Sequence, residues 1–432
     1  MKPVPPTGAR NLTPEPRSTA PATPIRVLAF FDFYLPGQKA GGSVRSAANL
    51  VERLGERIRF RIVTRDRDLG DVHPYPGIEA GRWTPAAHAE VLYLPSRRLG
   101  VKEVARILRD TPADVLYLNS FFSARLSILP LVLRRLGVVP RVPVVLAPRG
   151  ELSDGCLALR PVRKKVYMAL ASATGLLDGI IWQASTPLEA ADIRRRLSRV
   201  AADPRGVRVA CDLPAGADAS TLRTRPKAAG ELRLLFLSRI HRVKNLKSVV
   251  EMLKGVGRPV EFNVYGPCED RVYWEECLSA ARVLPAGVRM TYHGALSHAE
   301  VGAAMRDHDL FILPSEGENY GHVVYEALAA GCPVLISDRT PWRALEARGV
   351  GWDVPLHDRA RFTAVLRQVA DMDESAHAPL RERARALARE HESAEEALAE
   401  NARLFEQALA AGSGANRRAE RAGPSAAGEP SR

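Results

Sequence analysis

The chain has 432 residues, with 62 Lys and Arg against 49 Asp and Glu for a net charge of +13, and it is 46% apolar and 6% aromatic. At roughly 100–200 residues per domain this leaves room for two domains with real cores and excludes a chain disordered throughout. Five scattered cysteines exclude a disulfide framework, no CxxC or HExxH marks a zinc site, and no apolar run reaches the about 20 residues of a spanning helix. A reduced, cytoplasmic protein is expected.

In chain order, residues 1–24 are rich in Pro and Thr without apolar periodicity and read as a disordered leader. From 25 to 211 short apolar runs predict strands at Arg26–Phe31, Arg59–Thr64, Val91–Leu94, Val115–Asn119, Val142–Ala147, Gly179–Gln183 and Gly206–Ala210. Helical patterns fall between them, at about Ser43–Leu54, Val101–Arg109, Ala124–Leu136, Val162–Ala173 and Pro187–Arg199. Residues 212–230 hold Pro214, Gly216, Pro226 and Gly230 and read as a linker. The rhythm restarts over 231–392, with strands at Leu232–Ser238, Glu261–Tyr265, Arg289–Tyr292, Leu310–Leu313 and Val334–Ser337. A last helix over 393–410 is placed to brace the first domain, and 411–432 reads as a disordered tail. Continuous rather than alternating apolar runs suit strands covered on both faces, so the fold class is α/β with two doubly wound, Rossmann-like domains. Ligands in such sheets bind outside the carboxyl ends of the strands, here in the cleft between the domains.

Three loops at those ends carry chemistry. The stretch Pro36-Gly37-Gln38-Lys39-Ala40-Gly41-Gly42-Ser43 opens a helix after the first strand, where glycine permits close backbone approach to an anion; Ser43 stands where a P-loop needs Lys, which disfavours an ATPase. Taken alone, this loop reads equally as a flexible turn. Arg239 and Lys244 lie in the loop after the first strand of the second domain and suit a diphosphate, Arg by forked hydrogen bonds and Lys as a point charge, whereas Arg242 and Lys247 read as solvated charges. The third loop runs from Pro314 through Glu318-Asn319-Tyr320-Gly321-His322 to Glu326. Were it helical throughout, Glu318 and Glu326 would be about 12 Å apart along the axis, wider than the about 5–9.5 Å of a hydrolase pair, and so two separate grips on an elongated ligand. Free amides at Asn319, Tyr320 and Gly321 suit phosphate.

The Glu318-x7-Glu326 spacing within Gly-Glu-Asn-Tyr-Gly-His and Glu-Ala-Leu-Ala-Ala-Gly-Cys-Pro-Val resembles the signature of retaining family 4 (group 1) glycosyltransferases. Ser238-Arg239 with Lys244, Val264-Tyr265-Gly266-Pro267, Gly41-Gly42 and Ala147-Pro148-Arg149-Gly150-Glu151-Leu152 extend the resemblance over about residues 25–410. It implies a GT-B fold, two such domains facing a central cleft, with a nucleotide-sugar donor held mainly by the second. By the same resemblance Glu326 holds the donor ribose, Glu318 the transferred sugar, and Arg239 and Lys244 the diphosphate. Gly41 and Gly42 admit the donor backbone-close, and the leaving phosphate rather than a protein group takes the acceptor's proton. Trp342 is expected to pack a loop close to the nucleotide side.

Many relatives carry a His after the fourth strand where this chain has Asn119-Ser120-Phe121-Phe122, so no general base is assigned. Arg149 and Glu151 are read either as shaping the acceptor side or as a structural ion pair. His293, His298 and His308 near Asp307 and Asp309 read as packing rather than a metal site, and no metal or cofactor is expected. The basic segment Arg160-Pro161-Val162-Arg163-Lys164-Lys165 has two readings, a contact with anionic lipid or an ordinary amphipathic helix. No nucleic-acid recognition module or stacking platform is present. The primary reading is a retaining, metal-independent transferase acting on a saccharide or lipid-linked acceptor, in cell-envelope polysaccharide synthesis and peripheral to the membrane. The rivals are a transferase making a small soluble glycoside and a catalytically silent nucleotide-sugar binder.

Overall fold

The computed structural model describes residues 24–158, 161–198, 206–214, 225–392 and 395–421. Most of the expected leader, Arg160, part of the linker and the end of the tail lie outside them. The first sheet has eight strands: β1 (Ile25–Phe31), β2 (Ile58–Arg65), β3 (Trp83–Ala86), β4 (Ala89–Leu94), β5 (Val115–Asn119), β6 (Val144–Ala147), β7 (Ile180–Ala184) and β8 (Val207–Val209). Their order is β3-β4-β2-β1-β5-β6-β7-β8, parallel except for β3, which pairs antiparallel with β4. Strand β3 was not expected, because Trp-Thr-Pro-Ala is only four residues long, has no fully buried residue and contains a proline that only an edge strand accommodates.

Helices α1 (Gly42–Leu54), α2 (Val101–Asp110), α3 (Leu129–Arg135), α4 (Asp154–Ala158), α5 (Pro161–Ala173) and α6 (Pro187–Leu197) connect these strands. The reversal of strand order at β1 and β5 is the switch point of a doubly wound sheet. The core strands are buried from end to end, Val115–Asn119 and Val144–Ala147 without an exposed residue, which is why they lack alternation in the sequence.

The second sheet has β9 (Leu232–Leu237), β10 (Val260–Tyr265), β11 (Val288–Tyr292), β12 (Leu310–Leu313), β13 (Val334–Ser337) and β14 (Gly351–Val354), all parallel, in the order β11-β10-β9-β12-β13-β14. Strand β14 escaped the sequence reading because its four residues, Gly-Trp-Asp-Val, include a glycine and a charge. Around it lie α7 (Leu246–Leu253), α8 (Arg271–Ala281), α9 (His298–Asp307), α10 (His322–Ala329), α11 (Leu345–Arg348) and α12 (Arg359–Asp371).

The last two helices are α13 (Glu374–Glu392), packed on α10, and α14 (Glu395–Arg421), packed on β1, β5 and β6 of the first sheet. Phe405 is fully buried there, edge-on to Phe60 at 6.0 Å and to Tyr117 at 5.5 Å. Helix α14 runs beyond residue 410, where the sequence reading ended it; Ala and Arg, abundant in 411–421, are good helix formers.

Candidate active site

The carboxyl ends of both sheets meet across one cleft. On the first-domain side the turn after β1 reaches α1 through Gly41, whose φ of +67° is left-handed. That backbone conformation, not lack of space, is what asks for glycine, since a Cβ on Gly41 would make ordinary contact with Arg239 Nε at 3.8 Å and one on Gly42 with His322 Cδ2 at 3.8 Å. The double glycine thus faces Arg239 and His322, one group from each of two elements of the second domain.

On the second-domain side, the loop after β9 crosses β10 only because Gly266 has no side chain: at φ +131°, a Cβ would collide with the Ser238 carbonyl. A short 3-10 turn, Arg242–Lys244, follows. Lys244 Nζ lies 2.5 Å from Glu318 Oε1, both side chains nearly buried at 13% and 11% exposure. The loop bearing Glu318 is seated against the same turn by Glu316 N and Ser315 Oγ, which donate to the Val243 carbonyl at 2.8 and 3.2 Å. Arg239 is half-exposed and paired with Glu269 at 2.6 Å. Arg242 and Lys247 instead turn to α8, both bonding Glu276, with Arg242 over the Tyr273 ring.

Helix α10 starts only at His322, because Gly321 takes a left-handed φ of +78°. Glu318 therefore lies in a loop, and the axial distance expected for a continuous helix does not apply. Among the described residues no acceptor meets the amides of Asn319, Tyr320, Gly321, His322 and Val323, so the start of α10 offers a run of free donors at the positive end of its dipole. Trp342, 5% exposed, holds this turn by donating from Nε1 to the Tyr320 carbonyl at 2.8 Å.

Glu326 lies one turn into α10, half-buried, and takes no hydrogen bond from any described residue. Burial raises its carboxyl pKa, while His322 and Arg45 pull it back. Arg45, on α1 of the first domain, has its guanidinium pKa lowered by burial and is drawn up by Glu326 and Glu52; its side chain makes no ion pair among the described residues.

A continuous polar network floors the cleft. Ser46 Oγ lies 2.6 Å from Asp212 Oδ2 and 2.9 Å from His322 Nε2. Asp212 pairs with Arg149, which also donates to Asn119 Oδ1 at 2.6 Å and to the Tyr117 hydroxyl at 2.7 Å. Burial opposes the Asp212 charge, but Arg149, His322 and Ser46 more than offset this and hold its carboxyl below the usual range. Arg149 is likewise pulled down by burial and raised on balance by Asp212, Tyr117 and Glu189.

Arg149 and Glu151 do not pair with each other. Glu151 is occupied within the first domain: it accepts from Phe121 N at 2.6 Å, Phe122 N at 3.0 Å and the Ser120 hydroxyl at 2.9 Å, and its carboxyl is raised by burial against those bonds. Asn119, where a His was sought, receives Arg149. The histidines considered for a metal pack on Asn263 instead: His293 Nε2 lies 2.7 Å from its Oδ1 and His308 Nε2 3.1 Å from its Nδ2. His298 lacks a described side chain, and no group of three ligand-type side chains occurs among the described residues.

Sequence reasoning missed Arg45, Ser46, Asp212 and His322 as cleft residues. His322 was findable, since it precedes Glu326 by four and so shares its helix face; Arg45 and Ser46 follow the double glycine by three and four. Asp212 carried no signal beyond its place at the mouth of a linker.

Residues 221–390 match the family model described as glycosyl transferases group 1. A phosphatidyl-myo-inositol mannosyltransferase of Mycobacterium leprae is 26% identical over 356 residues, covering 79% of this chain and 86% of that protein. Sucrose-phosphate synthase from Thermosynechococcus elongatus superposes with a TM-score of 0.65 at 16% identity over 90% of this chain and 100% of its own. Anabaena HepE, solved with UDP-glucose, gives 0.63 at 16% identity over 89% of this chain and 99% of its own. Such structural likenesses carry the fold, and the fold is GT-B.

Proposed function

We propose that this chain, GT-B in fold, is a group 1 glycosyltransferase that draws on a nucleotide-sugar donor and transfers a hexose-type sugar with retention and without a metal to a saccharide or lipid-linked acceptor. The observation that carries this reading is Lys244 and Glu318 held together beside the free amides of α10, with the unsatisfied Glu326 carboxylate one turn further on. A nucleotide sugar matches that row of groups: ribose hydroxyls donate to Glu326, the diphosphate takes the amides with Lys244 and Arg239, and sugar hydroxyls bond Glu318.

Retention is what the family signature around Glu318 and Glu326 implies. With Glu318 tied to Lys244 and read as holding the sugar rather than attacking it, we read a front-face route in which the bond from sugar C1 to phosphate oxygen breaks as the acceptor oxygen bonds C1 on the same side. The acceptor's proton passes to the departing phosphate. Lys244, Arg239 and the helix dipole stabilise the charge on that phosphate, the task a metal performs in other transferases. The protein supplies position and field, not a base.

Val162, Val166 and Leu170 are exposed at 70, 53 and 60% along one face of α5, with Arg163 and Lys165 exposed between them. That stripe supports a peripheral contact with an anionic membrane, a lipid-linked acceptor and a setting in envelope polysaccharide synthesis. No helix among the described residues is long and apolar enough to cross a membrane.

The reading is tested with a panel of nucleotide sugars: one or more should raise the melting temperature, because a ligand specific to the native state stabilises by mass action, and the same compounds should be turned over. Stabilisation without any donor cleavage would leave a silent binder. Co-sedimentation with anionic vesicles separates a lipid-linked acceptor from a small soluble one.

A further inference from the structure

Glu189 is a buried carboxylate, 5% exposed, with no part in the donor site and no ion pair among the described residues. It stands in the first turn of α6, where Thr186 caps its amide at 3.1 Å. Its two oxygens accept three bonds, Oε1 from Gly150 N at 2.6 Å, and Oε2 from Ser185 N at 2.8 Å and the Ser185 hydroxyl at 2.5 Å. It thereby joins the loop after β6, left-handed at Gly150 with φ +78°, to the end of β7.

Ser185 carries the link across the cleft, since its Oγ accepts from Asn319 Nδ2 in the donor loop of the second domain. A hydroxyl has one proton. With that proton given to Glu189, Ser185 can only accept from Asn319, and the direction of the interdomain bond is fixed. A carboxylate suits the post because it accepts at both ends; an amide would point an NH2 group at either the Gly150 or the Ser185 main-chain N–H. Asn319 adjoins Glu318, and Gly150 lies beneath it, a Cβ there falling 3.8 Å from Asn319 Cβ.

We propose that Glu189 is a positioning residue. Acting through Ser185, it clasps the loop of Glu318 and Asn319 to the first domain and so holds Glu318 against the sugar in transfer. This rests on the transferase reading above.

The test separates the hydroxyl from the fold. Ser185→Ala leaves the main-chain bonds of Glu189 intact, so the melting temperature should hold. Turnover should fall about tenfold while nucleotide affinity stays within about twofold, the pattern of a lost positioning contact. Ser185→Thr, which restores the hydroxyl, should recover most of the turnover, and Glu189→Gln should lose both turnover and melting temperature. Small-angle scattering reports the clasp without chemistry: Ser185→Ala and Asn319→Ala, which cut the link from opposite sides, should each enlarge the radius of gyration, and Ser185→Thr should not. Wild-type turnover and scattering in Ser185→Ala, or a Ser185→Thr no better than the alanine, overturns the proposal. If the wild type turns over no nucleotide sugar, the transferase reading fails while the scattering still decides the clasp.

Discussion

The two walls of the cleft use polar groups in opposite ways. On the first-domain wall the charges other than Arg45 are occupied internally: Arg149 by Asp212, Asn119 and Tyr117, Glu151 by loop amides, Glu189 by Gly150 and Ser185. On the second-domain wall the amides of α10 and the Glu326 carboxylate have no partner among the described residues. One wall is a closed circuit that holds shape; the other is an open set of donors and acceptors awaiting a ligand. Removing one of those paired charges from the first should therefore cost stability, and removing a group from the second should cost binding or rate.

The largest effect expected is on the closed side. Arg149→Met strands Asp212 as a buried charge without its main partner, and loss of one member of such a pair costs about 3–5 kcal/mol. Chemical denaturation measures it; a loss under about 1 kcal/mol would mean that water or His322 carries the Asp212 charge and that the circuit is not closed. The depressed Asp212 carboxyl sets the pH sense: its contribution is present above the unfolded carboxylate value and fades only as pH falls through the lower folded value.

On the open side, Lys244→Ala should lower turnover by about 10²–10³, the range seen when one charge-stabilising donor is removed, and leave free-nucleoside affinity nearly unchanged. A variant that weakens nucleoside binding as much as turnover would place Lys244 on the nucleoside instead. Glu326→Ala is the next step down, about 1–3 kcal/mol of donor affinity for a charged hydrogen bond, read by calorimetry. Because burial raises the Glu326 carboxyl, donor affinity should weaken on acidification from above the ordinary carboxylate range, as protonation removes an acceptor. Glu326→Gln should flatten that profile; an unchanged slope would assign the titration elsewhere.

The contrast between the walls also governs what could be read from sequence. The open wall was legible because its groups follow the carboxyl ends of buried strands: Lys244 in the loop after β9, and Glu318 and Glu326 eight apart after β12, so that the sheet pattern puts them at one edge although Lys244 and Glu318 are 74 positions apart. The closed wall was not: Asp212 meets Ser46 across 166 positions and His322 meets Ser46 across 276, and no local pattern encodes a bond of that span. Arg149 and Glu151 were visible as charges beside a glycine, but their partners, Asp212 and the amides of 121 and 122, depend on the closing of loops from different strands. The same holds for the sheets: central strands announce themselves as apolar runs, whereas the edge strands β3 and β14 hold too few apolar residues to do so.

The smallest effect is the sharpest control on the open wall, because Arg242 sits two residues from Lys244 on the same 3-10 turn. Proximity in sequence would give both a share in the diphosphate. Geometry does not: Arg242 turns away to Glu276 and Asp270 and lies over the Tyr273 ring at 5.2 Å, whereas Lys244 meets Glu318. Arg242→Ala should accordingly leave turnover and donor affinity within about twofold of wild type, as exposed pairs contribute little. A loss approaching that of Lys244→Ala would mean that the turn reorganises when donor binds, bringing Arg242 round to the phosphates and extending the open wall to the face of α8.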